Sequence, residues 1–367
     1  MMKKYATVKY IDFSAYERII AISDIHGDLE GFEGVLSKYE FSDQDALVIV
    51  GDILEKGDQS LPLLKRVKQL SEKGNVHMVL GNNDTAFSNL YSEYFSDEDI
   101  CHYMNSGKKT VLAEMAKELK LPYGTADEIR RLKSAIKENY GEEYAFLNAL
   151  PQIIDCEQAT FVHAGIQPGK LEEQDWSYCL TAPAFASQPH RFGKPLVIGH
   201  WPATNYCDTI IDANVYYNEE TNVYSIDGGN SMKSWRQINC LIFRKDGTIE
   251  SGYYENLPKV RVVEAQKSND NPVTLTFPNT LIEIREKREE ESLCYVPHLH
   301  REMMIKNKRI YSYAQKHYCW DFTTYLLPVE AGEIVSYCGK GEEGILIKRN
   351  GIVGKYLGEY VLLDDRA

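Results

Sequence analysis

Three times within the first 84 residues an apolar run of strand length ends on a loop rich in Asp, Gly or Asn, and twice that loop leads into an amphipathic stretch. The run RIIAIS, Arg18 to Ser23, passes through DIHGD into Leu29 to Tyr39, where apolar residues recur at helical spacing. DALVIVGDILEKGDQS repeats the unit, and LPLLKRVKQLSEKG follows as a helix closed by Gly74. NVHMVLGNND supplies a third strand and loop. Strands alternating with helices imply a parallel or mixed sheet covered by helices, because parallel neighbours need a long crossover. Sheets of this kind place ligand sites beyond the carboxyl ends of their strands.

Downstream, the rhythm changes. Residues 85–144 read as helical and charge-rich, punctuated by Gly107, Gly124 and Gly141, and are expected to form a helical cap or insertion. ALPQIIDCEQATFVHAGI and KPLVIGHWPA each bring an apolar strand to a loop containing His, while NVYSIDGG and NCLIFRKDGTIESGYY read as strand and hairpin. The expected organisation is a first α/β domain over 1–258, a linker or connecting segment over 259–291 marked by QKSNDN and REKREEE, and a small C-terminal β domain over 292–367. That last region has short strands between Gly turns and resembles an SH3-like barrel in AGEIVSY and NGIVGKYLGEYV.

Composition sets the outer limits. A chain of 367 residues, 43% hydrophobic and 26% charged, can bury a sizeable core. Its net charge of -13 argues against binding a nucleic-acid backbone, which needs clustered cations. The eight cysteines form no Cys-x-x-Cys pair, so neither a structural zinc site nor a disulfide framework is indicated. No apolar run is long enough to span a bilayer, and the opening MMKKYATVKYIDFSAYERIIAISD lacks the apolar core of a secretion signal. A cytoplasmic location away from membranes is expected.

The loops collect Asp24 and His26, then Asp52, Asn82, His163 and His200, each just after a strand-like run. The spacing is Asp-x-His, 24 residues, Gly-Asp-x-x-Glu, 25 residues, Gly-Asn-x-Asp. This set suits a binuclear metal site. One carboxylate can bridge two cations about 3.5–4 Å apart, while imidazoles and an amide oxygen complete each shell without excess negative charge. Asn82 alone would read equally as a turn residue.

SDIHGDLEGF, VGDILEKGDQS, LGNND, FLNALP, HAGI, IGHWPA and SIDGG together resemble the calcineurin-like metallophosphoesterase superfamily, in the branch of Ser/Thr protein phosphatases and diadenosine tetraphosphate hydrolases. The resemblance runs from Ile19 to Gly229. It implies a β-sandwich flanked by helices, with Asp24, His26 and Asp52 holding one divalent ion and Asp52, Asn82, His163 and His200 the other. Manganese comes first, with iron, zinc, nickel and magnesium as alternatives. The implied reaction is attack of a bridging hydroxide on a phosphate ester, a phosphomonoester on protein or small molecule first. The alternatives are a nucleotide or dinucleoside polyphosphate, a phosphodiester, or binding without turnover by a pseudophosphatase.

Three departures from the family pattern cluster. Asn83 stands where the family places a proton-donating His, Glu55 where that His has an Asp partner, and Lys56 where an Arg grips phosphate. An amide cannot exchange a proton near neutral pH, and Lys lacks the bidentate fork of Arg. Asp52, Asn83 and Glu55 are therefore the candidate catalytic residues, and Lys56, Arg191 and Asn82 the candidate substrate contacts. A protein partner for the C-terminal β domain is also expected.

Overall fold

The computed structural model describes residues 4–341 and 343–363. The chain divides into two compact units, Met1–Ala203 with Asn214–Asn256, and Thr204–Ala213 with Leu257–Ala367.

The first unit contains two mixed sheets. In one, Arg18–Ile22, Asp45–Ile49 and Val76–Met78 run parallel, with Ile238–Arg244 antiparallel to Arg18–Ile22 and paired in turn with Ile249–Tyr254. The other has six strands, among them the parallel set Thr160–Val162, Leu196–Ile198 and Val223–Ser225. Alternation decides where each side chain goes. Ile19, Ala21, Ala46, Val48, Leu241 and Phe243 pack with Ile154, Phe161 and Val197 from the second sheet. Ile20, Ile22, Leu47 and Ile49 pack with residues from helices instead. Strands buried on both faces read as unbroken apolar runs, which is why RIIAIS and ALVIV stand out.

The flanking helices start where local chemistry directs. Asp28 caps Leu29–Lys38 by accepting from the Gly31 N–H at 2.8 Å, with Glu30 in the first turn and Lys38 in the last. The insertion comprises five helices, from Ala86–Leu90 to Gly141–Asn148, two of them opened by capping boxes at Ser96/Asp99 and Thr125/Glu128. Ile100, Leu112, Met115, Ile129 and Ile136 belong to the same buried cluster as Phe32 and Leu64, so the insertion extends the core.

The second unit corrects two expectations. Of the two readings of 259–291, the linker gives way to the connecting segment, because Lys259–Val262 is a strand paired on both edges, with Ile334–Lys340 and Tyr360–Leu363. The charge run REKREEE covers the end of Leu281–Lys287, a turn and the start of Glu291–Val296, which pair as an antiparallel hairpin. A boundary at 292 would cut that hairpin. The exposed strand ends and turn carry charge as a linker does, and the periodicity is too short to separate the two. This unit is also more than one small barrel. Its six-stranded sheet and its five-stranded sheet each have their own apolar cluster, around Val260, Ile347 and Tyr356 and around Leu275, Ile282 and Cys294. No helix among the described residues is long and apolar enough to cross a membrane.

Candidate metal centre

Six side chains from five strand ends converge. Asp24 and His26 follow Arg18–Ile22, Asp52 follows Asp45–Ile49, Asn82 follows Val76–Met78, His163 follows Thr160–Val162, and His200 follows Leu196–Ile198. Four of the six, Asp24, His26, Asp52 and His200, have φ between +49° and +66°. L-residues adopt that backbone only where the surroundings impose it. Here the Asp24 N–H donates to the Gly51 carbonyl at 3.1 Å, the His26 N–H to that of Asp52 at 3.0 Å, and the His200 N–H to Asp24 Oδ2 at 2.9 Å.

Two glycines make the close approach possible. A Cβ on Gly51, whose φ is +83°, would lie 2.6 Å from His163 Nδ1, and one on Gly81 would lie 2.3 Å from Asp52 Oδ1. The turn after the third strand is held by Asp84. Its carboxylate accepts from the backbone N–H groups of Gly81, Asp52, Ile53 and Leu54 at 2.9, 2.8, 3.0 and 3.2 Å. Sequence reasoning gave Asp84 no role, although its place closing Gly-Asn-x-Asp was the available signal.

The donor set fits cations. His26 Nδ1 lies 3.0 Å from the Leu54 carbonyl, which can only accept, so Nδ1 carries the proton and Nε2 presents a lone pair. Burial, then the Lys56 charge, pushes the His26 imidazolium down to about 4, so the neutral ring prevails. Ligand atoms of Asp24, His26 and Asp52 all lie within 4.8 Å of one another. The Lys56 ammonium sits 2.9 Å from His26 Nε2, a positive charge standing where a metal ion suits the lone pair.

On the other side, His163 Nδ1 is fixed by the Val50 carbonyl at 2.9 Å. Asn82 Oδ1 then faces His163 Nε2 at 3.0 Å and His200 Nδ1 at 2.9 Å. Burial, then His163, pushes His200 down to about 4. Carboxylate oxygen, amide oxygen and neutral imidazole are the donors that first-row divalent ions take.

Negative charge is in excess. Burial and the neighbouring Asp52 raise the Asp24 carboxyl, whereas Asp52, which burial alone would raise, is drawn below its ordinary range by His163, His26 and Lys56. Asp227 is raised well above its usual value by burial and by Asp24, and its Oδ2 is buried with no hydrogen-bond partner among the described residues. Asp227 lies in the SIDGG motif but received no role from the sequence. These are the electrostatics of a site that gains by binding cations.

The remaining candidates separate. Asn83 lies at the centre, donating from its backbone N–H to Asp52 Oδ1 at 2.8 Å and from Nδ2 to Asp52 Oδ2 at 2.5 Å. Glu55 does not partner it. Its carboxylate turns into the insertion, where it accepts from the Val111 N–H at 3.0 Å and from the Tyr103 hydroxyl. Arg191 is a correction too. It precedes Leu196–Ile198, at the end of the strand away from His200, and its guanidinium donates to the Glu219 and Glu220 carbonyls.

Cavities flank the cluster. One of about 330 Å³ borders Asn82 and Asn83. Another, of about 690 Å³, borders Gly27 and Lys56 and is lined by Lys109, Lys233 and Arg236 together with Asp28 and Asp58.

A sequence model of the calcineurin-like phosphoesterase family matches residues 17–204. The symmetrical bis(5'-nucleosyl)-tetraphosphatase of Chromobacterium violaceum is 35% identical over 100 residues, which cover 26% of this chain and 35% of that protein. The protein of the same name from Buchnera aphidicola subsp. Acyrthosiphon pisum is 34% identical over 97 residues, covering 23% of this chain and 35% of its own. The match thus spans about a third of the length of these curated relatives. Among solved structures, a cold-active protein-tyrosine phosphatase of a Shewanella species aligns over 67% of this chain and 82% of its own, at 15% identity and a TM-score of 0.40.

Proposed function

The chain belongs to the calcineurin-like phosphoesterase family, and from that premise we propose that it hydrolyses phosphoric esters and anhydrides with two divalent metal ions, manganese first. Asp24, His26 and Asp52 would hold one ion, and Asp52, Asn82, His163 and His200 the other. The observation carrying this reading is the convergence of those six side chains, with the His26 and His163 tautomers fixed by backbone carbonyls and no charge balance of their own. When bound, the ions supply Lewis-acid polarisation of the phosphoryl group and a water activated at neutral pH.

The chain's own residues set the rest. Asn83 orients both oxygens of Asp52, and Lys56 brings a positive charge to the flank beside His26 for a phosphoryl oxygen. Neither Asn83 nor Glu55 can hand a proton to a departing alkoxide, since one is an amide and the other is committed to Tyr103 and Val111. General acid catalysis is worth about 10²–10⁴ in rate, so its loss weighs most on alkyl esters. Leaving groups that depart unprotonated are favoured, and a phosphoanhydride is the natural one. We therefore place nucleoside polyphosphates ahead of the phosphomonoester that the motifs put first. The tetraphosphatase names of the relatives support that order.

The test is manganese-dependent turnover of p-nitrophenyl phosphate, its bis-ester and diadenosine tetraphosphate by the full chain and by Asp52→Asn. The tetraphosphate should be turned over best, and Asp52→Asn should lower every rate by about 10² or more. A rate untouched by Asp52→Asn would refute the two-metal reading.

A further inference from the structure

The two cavities beside the metal centre differ in chemistry. The flank at Lys56 is lined by charged side chains of both signs, among them Lys56, Lys233 and Arg236, which can meet anionic oxygens. The flank at Asn82 and Asn83 is mainly apolar, walled by Leu90, Ile100, Leu112, Tyr103 and Phe95 from the helical insertion, with Asn89 and Asp99 among its polar groups. Phe95 borders this cavity and is 45% exposed, so its ring has surface to offer a ligand. A substrate centred on the six ligands and filling both flanks is an anionic chain ending in an apolar planar group.

We propose that the cavity beside Asn83 is a nucleobase pocket, in which Phe95 and Tyr103 supply aromatic surface and Asn89 and Asp99 read the edge of the base. The proposal rests on the hydrolysis reading above and says where on this chain the nucleoside of that substrate is held. A volume of about 330 Å³ with mostly apolar walls and few polar groups is the ordinary make-up of a small-molecule pocket. The polar groups favour a base over a plain aryl ring. Asn89 spends one N–H on Thr85 Oγ1 at 3.2 Å, and Asp99 uses Oδ2 for Ser96, so that among the described residues the Asn89 carbonyl oxygen and Asp99 Oδ1 accept no hydrogen bond. A phosphotyrosyl ring has no N–H to give these acceptors, whereas adenine offers the N–H groups of its exocyclic amine. Because the insertion builds the walls, it would choose the substrate without touching phosphorus.

The experiment compares ATP with inorganic tripolyphosphate, two anhydrides that differ by the nucleoside, in the wild type, Phe95→Ala and Asn89→Trp, the last filling the cavity. The ratio of kcat/KM for ATP to that for tripolyphosphate should fall about tenfold in each variant, the loss of one stacked or excluded base. A second arm measures binding of labelled adenosine by equilibrium dialysis with metals chelated, and Asn89→Trp should abolish it. An unchanged ratio with no adenosine bound overturns the pocket while leaving hydrolysis standing. Adenosine binding that Asn89→Trp removes, in a protein that cleaves neither anhydride, upholds the pocket and overturns the hydrolysis reading. If both variants instead lose p-nitrophenyl phosphate turnover selectively and adenosine does not bind, the pocket serves an aryl ring and the base assignment is wrong.

Discussion

At the scale of single residues, Glu55 has left the position its motif suggests and become part of the insertion's mooring. Burial raises its carboxyl to about 7, above the ordinary value near 4.5. Between those two values the folded protein holds a proton that the unfolded chain releases, so this group's contribution to stability is fully present below about pH 4.5 and is lost as pH rises through about 7. Glu55→Gln should abolish that decline and leave the insertion docked, because an amide can still accept from Val111 and meet Tyr103. Urea midpoints at about pH 5 and about pH 8 should therefore show the variant gaining on wild type at the higher pH. Glu55→Ala strands the Val111 N–H and should cost about 1–3 kcal/mol. The same displacement governs Asn83→His. A new imidazole would find Asp52, a candidate metal ligand, as its nearest carboxylate and not Glu55, so its gain on an alkyl phosphate should stay below the roughly 10² at the lower end of general acid catalysis, measured as kcat beside that for diadenosine tetraphosphate. A gain near 10⁴ would mean that another group takes the carboxylate's place.

At the scale of elements, the insertion and the central helices cap one another. Glu55 meets the first residue of Val111–Leu119, and Glu114 on that helix reaches back to Ser60 and Leu61, both N–H groups at 2.9 Å. The helix Ser60–Ser71 needs this, since the side chain of its N-cap residue Gln59 makes no capping hydrogen bond. Glu114→Ala should therefore cost about 0.5–2 kcal/mol, with hydrogen exchange accelerated at Ser60 and Leu61; protection unchanged there would show that solvent replaces the cap. None of this was legible beforehand, because a cap supplied from 54 residues away leaves no local pattern. The strands that position the site were legible, as were the Asp, Asn and His at their ends. Runs such as RIIAIS are apolar on both faces and stop at loops whose composition is constrained by chemistry. Arg191 misled because a basic loop residue looks the same at either end of a strand. Only the direction of Leu196–Ile198 tells which end faces the ligands.

At the scale of the whole molecule, the chain crosses between units more than once. It leaves the first unit after Ala203, gives Thr204–Ala213 to the second, returns for Asn214–Asn256, and only then completes the second unit. Within that loan Ile211–Asp212 pairs antiparallel with Ile352–Tyr356, Thr274 Oγ1 donates to the Thr209 carbonyl at 2.9 Å, and His298 Nε2 meets Asp208 Oδ1 at 2.7 Å. Ile211 and Ala213 are fully buried there. A two-residue strand whose partner lies some 140 positions later carries no periodic signal. The consequence is that cutting the chain after Asn256 should not yield a clean first unit. The truncated protein would keep 204–213 while losing the sheet that covers Ile211, exposing apolar surface and an unpaired strand edge. A second truncation, in which 204–213 is replaced by a Gly/Ser loop of equal length, removes both liabilities without touching the six ligands. Sedimentation and thermal melting should show the first form associating and the second monodisperse, with manganese raising the Tm of the second. If the simple truncation is equally monodisperse, the pairing of Ile211–Asp212 with Ile352–Tyr356 is too weak for its loss to drive association.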